Sequence, residues 1–425
     1  MAADKNLEAR VTEQKHKEEA WPAKDGQMRF RPDLVLLPLD DELVLFSEQV
    51  QCLVGLNAAA ALVFRELQKG APAPELARSL AREGLAPLDQ AERWVTATVD
   101  ALASQGMIAE GQAPAPPAVS ALNEQPFGDI GRVPPYVAVN AVEERCYRLL
   151  ETRVLVRFGH SAQARLVDAV LGHLAVDDSR APTIVMDIQS VTLQNGHLRS
   201  DVYRDGNPVG FVLRLSQLAP MVKAALWQSA VNAFDFLFYF HAGVVGTDER
   251  CILLPAASGS GKSSLTAALV HRGFRYYSDE VALIERTTFR VPPMPLALCI
   301  KSTGWDLMTR YYPDLETLPI HIRNDRKRLR YVPPPAAAAD QAPSPVSQII
   351  FPQYKKNAQT ELMPVTRSDA LSRLMAECLA LRRRLDQENV RNLVRWIAGI
   401  DCYALTFSSL DEAVELVAQA AAAAG

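Results

Sequence analysis

Apolar and polar positions along the 425 residues change pattern several times, and each change marks an element. Residues 1–28 are polar with few apolar anchors, which predicts a flexible N-terminal arm. From Arg29 two short apolar runs, Val35–Leu37 and Leu43–Phe46, flank Asp40-Asp41 and predict a hairpin. Asn57 is placed to cap an alanine-rich helix over Ala58–Lys69 that Gly70 closes. A second helix follows Pro74 and ends at Gly84. A third starts at Asp89, carries Ala91, Val95, Val99 and Leu102 on one face, and stops at Gly106. With a closing strand at Met107–Ala109, residues 29–109 predict a small winged-helix-like domain. Residues 110–135 hold six prolines, from Pro114 to Pro135, and predict a semi-rigid linker.

A second domain is expected over 136–425. Residues 153–158 predict a strand and Ser161–Leu174 a helix. Thr183–Leu215 alternates around Asn195-Gly196 and Asp205-Gly206, the pattern of a meander. Pro220 opens an apolar helix to about Phe236. Then come a strand at His241–Val245, a turn at Gly246–Glu249, and a fully apolar strand, Cys251–Leu254. This last strand is therefore preceded by a hairpin partner and not by a crossover helix. The expected class is α/β in the α+β sense, with a mixed sheet.

The strand runs into a small-residue turn, Ala256–Gly261, and a helix from Lys262 to about His271. Gly259 and Gly261 let backbone N–H groups approach an anion, and the helix start adds unpaired donors and the positive end of its dipole. This is the pattern of a phosphate-binding loop, with Ala256 where the first glycine is expected. Lys262 can reach β- and γ-phosphates, and the Ser263 hydroxyl is placed for Mg²⁺. Ser258, Gly259, Ser260, Gly261, Lys262, Ser263 and Ser264 are the expected nucleotide-binding residues, together with Lys301 after an apolar strand. Asp279-Glu280 follow Phe274–Tyr277, where a returning strand would end near the phosphates. Adjacent carboxylates there suit metal ligation and proton abstraction. His241 starts the hairpin strand and would lie alongside Cys251–Leu254. The basic run Arg326, Lys327, Arg328 and Arg330 is a candidate phosphate clamp, although such runs are more often solvated. Arg382–Arg384 fall in an expected helix from Asp369, and Ser409 with Glu412 have capping-box spacing.

Charge and composition narrow the classes. A net charge of −4 from 45 basic and 49 acidic side chains gives no reason to invoke nucleic acid. The third helix carries only Arg93 as a basic residue, which disfavours DNA reading further. The most apolar stretch, Ala224–Val245, is broken by Gln228, Asn232, Asp235 and His241, so no membrane span is expected. Six scattered cysteines without a CxxC pair, and a charged N-terminus, predict a cytoplasmic protein with reduced thiols.

Two resemblances follow from these residues. Gly55-Leu56-Asn57 with Ala58–Leu67, a spaced helix and Leu102–Ile108 resemble the PqqD family, whose domains recognise leader segments of ribosomally made peptides. That resemblance implies a peptide received by strand addition at an open sheet edge. His241-Ala242-Gly243, Ala256–Ser263 and Asp279-Glu280 together resemble HPr kinase/phosphorylase and its relatives. Pro293–Lys301, Ile349–Tyr354 and Tyr403–Val417 extend this likeness to the HPr-kinase-like proteins of biosynthetic clusters. It implies Asp279 as general base with His241 as its partner, Glu280 and Ser263 on Mg²⁺, and Lys262 on the transferring phosphoryl group. Ser264 stands where HPr kinases carry Glu, and their glycine-rich segment is missing, which argues against HPr as the substrate. The combined expectation is an ATP- and Mg²⁺-dependent kinase acting on a hydroxyl of a precursor peptide whose leader the first domain binds, as a possible homo-oligomer. A nucleotide-gated peptide binder without phosphoryl transfer, and a kinase for an HPr-like protein or a small hydroxylated metabolite, are the alternatives.

Overall fold

The structure is a computed structural model that describes residues 28–109, 132–177, 180–193, 196, 198–247 and 249–423. The expected arm except Met28, most of the expected linker, and Asn195 lie outside these residues. The described chain is α+β with mixed sheets and divides into two compact units.

Unit 1 comprises residues up to Pro117 together with Thr366–Arg373 and Arg384–Gly399. Its sheet is the antiparallel set β1 (Leu34–Leu39), β2 (Glu42–Ser47) and β3 (Cys52–Leu56), in that order. The β1–β2 hairpin turns at Asp40, whose φ of 56° is left-handed, a conformation that aspartate tolerates. Strand β3 was not expected; a short apolar run directly before a helix cap resembles helix entry. Met107–Ala109 is not a strand, since only a single bridge joins Ile108 to Phe30. Three helices follow: α1 (Ala58–Gln68), α2 (Ala73–Arg82) and α3 (Leu88–Ser104). Asn57 caps α1 as expected, its side chain accepting from the Ala60 N–H at 2.9 Å. Alternation along the strands turns Leu43, Leu45, Val54 and Leu56 towards Phe64 and Leu102 on the helices. Val44 and Phe46 point to the opposite face yet are fully buried. That face is closed by the amphipathic helix Gln387–Ala398, whose Val390, Leu393, Val394 and Ile397 are buried and which packs on β1 and β2. The Glu42 carboxylate caps the other late segment, accepting from the Ser368 N–H at 2.8 Å and the Ser368 hydroxyl at 2.7 Å.

Unit 2 begins with a five-stranded sheet, β4 (Glu143–Leu149), β5 (Thr152–Phe158), β6 (Ile184–Thr192), β7 (Leu198–Arg204) and β8 (Asn207–Val212). The expected meander is β6–β8, and helix α4 (Ser161–Leu171) crosses between the parallel pair β5 and β6. Helix α5 (Leu218–Ala233) is almost wholly buried and ends earlier than expected, because Phe236–Phe240 forms β9. A run of closely spaced aromatics favours a strand over helix continuation there.

The central sheet contains β10 (Ala242–Gly246) and β11 (Cys251–Pro255), antiparallel as expected. After the loop come α6 (Lys262–His271), β12 (Arg275–Ser278), β13 (Ala282–Glu285), β14 (Arg290–Val291), β15 (Leu298–Lys301), β16 (His321–Ile322), β17 (Arg328–Val332), β18 (Ser344–Tyr354), β19 (Glu361–Pro364), β20 (Cys378–Leu381) and β21 (Asp401–Phe407). Strand order across the main sheet is β12-β10-β11-β18-β21-β19, with β14 on β18. The β11–β18 and β18–β21 pairs are parallel and the others antiparallel, so the sheet is mixed. Helix α6 and the helix Leu410–Ala423 share one apolar cluster over this sheet, which includes Leu265, Leu269, Val414 and Val417. Two small sheets, β13-β9-β20 and β15-β17-β16, complete the unit. Arg382–Arg384 are therefore not helical: they follow β20, which pairs with β9, and the Arg382 guanidinium donates to the Asn232 carbonyl at 2.7 Å. No helix among the described residues is long and apolar enough to cross a membrane.

Candidate functional site

The loop between β11 and α6 is held by its glycines and by what packs beneath it. Gly259 and Gly261 have φ of 98° and 87°, which side chains avoid. A Cβ on Gly261 would also sit 2.7 Å from the Phe407 ring. The Ser260 carbonyl accepts from the Tyr354 N–H at 2.9 Å, which ties the loop to the end of β18. Under the start of α6, Gly243 of β10 leaves room for Thr266, against which any Cβ would collide.

These constraints place the start of α6 on a cavity of about 320 Å³. His241, Ser258, Gly259, Gly261, Lys262, Ser263, Ser264, Asp279, Glu280 and Lys301 all line it. Ser260 does not: its hydroxyl is buried and its carbonyl serves the loop anchor. Lys301 reaches across to the loop, its ammonium 3.3 Å from the Ser258 hydroxyl. The basic run lies elsewhere. Arg328 and Arg330 stack on Trp305, and Lys327 pairs with Asp325. The arginine on the cavity wall is Arg323, which Asp325 grips through two hydrogen bonds.

Burial sets the electrostatics. Lys262 is 5% exposed, and desolvation pushes its ammonium down to about 8 against the opposing pull of Asp279 and Glu280. It remains mostly charged at neutral pH. Asp279 is 2% exposed, and burial holds its carboxyl above the usual range despite Lys223 nearby. Its oxygens accept from the Cys299 N–H at 3.0 Å and from the Tyr276 hydroxyl at 3.4 Å. Glu280 behaves oppositely, drawn down to about 2, chiefly by Lys223 at 3.1 Å. His241 falls to about 4 through burial and Lys262, so its imidazole is neutral at pH 7. It shares the cavity with Asp279, but its side-chain neighbour is the Glu377 carboxylate, at 3.5 Å, and its backbone N–H donates to the Glu377 carbonyl.

Lys223, Arg323 and Glu377 did not stand out in sequence. Lys223 carried a signal nonetheless: it is the single charge in an apolar helix, and such a charge is rarely left unpaired. Its ammonium also lies 5.2 Å from the Tyr331 ring. Arg323 and Glu377 carried none, since what gives each a role is a partner from another segment or a cavity wall.

An ammonium, a loop of backbone donors and a second lysine around one polar cavity can hold a polyphosphate, and a buried carboxylate with a raised pKa can take a proton there. A magnesium ion fits Ser263, whose hydroxyl lines the cavity, because Mg²⁺ keeps waters and phosphate oxygens as most of its ligands. Glu280 fits less well than expected, since Lys223 already neutralises it. Among the described residues no cluster of three or more His, Cys, Asp or Glu side chains forms a metal cage. No family model matches the chain, and no curated protein matches it.

Proposed function

We propose that unit 2 is an ATP- and Mg²⁺-dependent kinase of the HPr-kinase-like kind, and that it phosphorylates a hydroxyl side chain of a ribosomally made peptide. The observation that carries this reading is the convergence of Lys262, His241 and Asp279 on one cavity under a glycine-bearing loop. In the reaction the acceptor oxygen attacks the γ-phosphorus, and its proton passes to Asp279. The bond from the γ-phosphorus to the β–γ bridging oxygen breaks, leaving ADP. Lys262 and Lys301 offset the charge on the transferring group, and the loop N–H groups hold the phosphates in line. Magnesium, which the Ser263 hydroxyl would help to hold, would supply further charge neutralisation to the phosphates when bound. His241, neutral and beside Glu377, brings no positive charge to the site.

Unit 1 serves as the leader-binding module in this reading, a winged-helix-like PqqD-type domain. Support comes from its sheet: β3 pairs only with β2 among the described strands, so its outer edge is open to an added strand. The second face of that sheet is already covered by Gln387–Ala398, which leaves the edge as the binding element. Tethering a peptide there raises the concentration of its acceptor residue at the cavity.

Mass spectrometry after incubation with Mg²⁺-ATP and the precursor peptides encoded beside the gene tests the proposal. A gain of one phosphate with wild type and none with Asp279→Asn is expected; no phosphate on any of them contradicts it. The Lys223–Glu280 pair favours a second reading, a nucleotide-gated binder without transfer, because it removes one carboxylate from metal ligation. That reading predicts nucleotide-dependent peptide affinity with no product in either protein.

A further inference from the structure

A second, smaller cavity of about 90 Å³ adjoins the first, and Glu280, Cys299 and Arg323 belong to the walls of both. Its far wall is one face of α5, made by Pro220, Met221, Ala224 and Trp227 at helical spacing. Trp227 is fixed there by an edge-on contact with Tyr239, ring centres 6.1 Å apart. The charges at this chamber are already engaged: Lys223 with Glu280, and Arg323 with Asp325. An acidic or phosphorylated group entering it would meet cations that are already paired, whereas an apolar group would meet the α5 side chains and the Tyr331 ring, with Asn324 the remaining polar side chain on the wall.

Volume limits the occupant. An apolar cavity of about 150 Å³ takes benzene, so the smaller chamber suits a branched aliphatic side chain and excludes an aromatic ring. The position limits it too, because the shared wall contains Glu280, next in sequence to the carboxylate that would accept the hydroxyl proton. We propose that this chamber receives a valine-sized aliphatic side chain immediately beside the phosphorylated residue, and so selects the acceptor site on the peptide. This assignment rests on the kinase reading above and adds the sequence context of its substrate. The nucleotide cavity fixes the phosphoryl donor, and the chamber fixes which hydroxyl is presented.

The test uses the full chain, Mg²⁺-ATP and short synthetic peptides with a single serine, supplied at the millimolar concentration that a leader tether would create. One residue beside the serine is valine, glycine, tryptophan or aspartate. The valine peptide is expected to be phosphorylated with a kcat/KM about tenfold above the glycine peptide, from the burial of its side chain. Tryptophan and aspartate should fall below glycine. Ala224→Leu, which fills the chamber, should abolish the valine preference while leaving the glycine peptide and ATP affinity unchanged. Ala224→Gly should move the optimum from valine towards leucine. Phosphorylation that ignores the neighbouring residue, or an Ala224→Leu enzyme that slows all peptides equally, overturns the chamber assignment and leaves the kinase reading standing. No phosphate on any peptide overturns both.

Discussion

Lys223 and Glu280 show how one buried charge reorganises a site. The ammonium side chain is 5% exposed and its partner carboxylate 36%. Lys223→Met would leave Asp279 and Glu280 adjacent without that counter-charge, and should cost about 1–3 kcal/mol by urea denaturation, less than a fully enclosed pair because water screens one end. The pH dependence follows from the depressed Glu280. Its contribution is fully present above its ordinary value of 4.5 and is lost as pH falls towards about 2. Glu280→Gln should therefore flatten the acid limb of a Tm-against-pH curve. Asp279 runs the other way: with a raised pKa its ionised form is disfavoured in the fold, and the associated stability is lost as pH rises through that pKa. Asp279→Asn should abolish phosphoryl transfer without lowering Tm at neutral pH, and the wild-type rate should fall off in acid above the usual carboxylate range.

At the scale of elements, the loop and α6 were legible in sequence to the residue, because glycine spacing and an N-terminal lysine leave few other structures. The hairpin β10–β11 and the β6–β8 meander were legible for similar reasons, each marked by turn residues between apolar runs. Strand β3, the aromatic β9 and β20 were not, since a short apolar run says nothing about which strand will pair with it. The Ser260 side chain does not line the cavity, because the motif fixes composition but not which side chain turns inward. Gly261→Ala isolates the loop's geometry: a left-handed φ and a Phe407 ring 2.7 Å from the new Cβ should cost about 1–2 kcal/mol or more by thermal unfolding. Nucleotide affinity should fall with it, while Gly84→Ala, also at positive φ but in open space, should cost stability alone.

For the whole molecule, the division of the chain was the least legible feature. A boundary near residue 110 is visible in composition, but unit 1 also contains Thr366–Arg373 and Arg384–Gly399, far along the sequence. Apolar periodicity shows that Gln387–Ala398 is amphipathic without showing which sheet it covers. The consequence is measurable. Residues 28–109 alone would expose the face that holds Val44 and Phe46, and should aggregate or bind hydrophobic dye, whereas the full chain should not. Isothermal titration of the full chain with Mg²⁺-ATP tests the central claim, that one cavity gathers the phosphate loop, Lys262 and Asp279 around a nucleotide. Saturable one-to-one binding is predicted, weakened at least 100-fold by Lys262→Ala and retained by Asp279→Asn. No binding by wild type, or an unchanged affinity in Lys262→Ala, would contradict it.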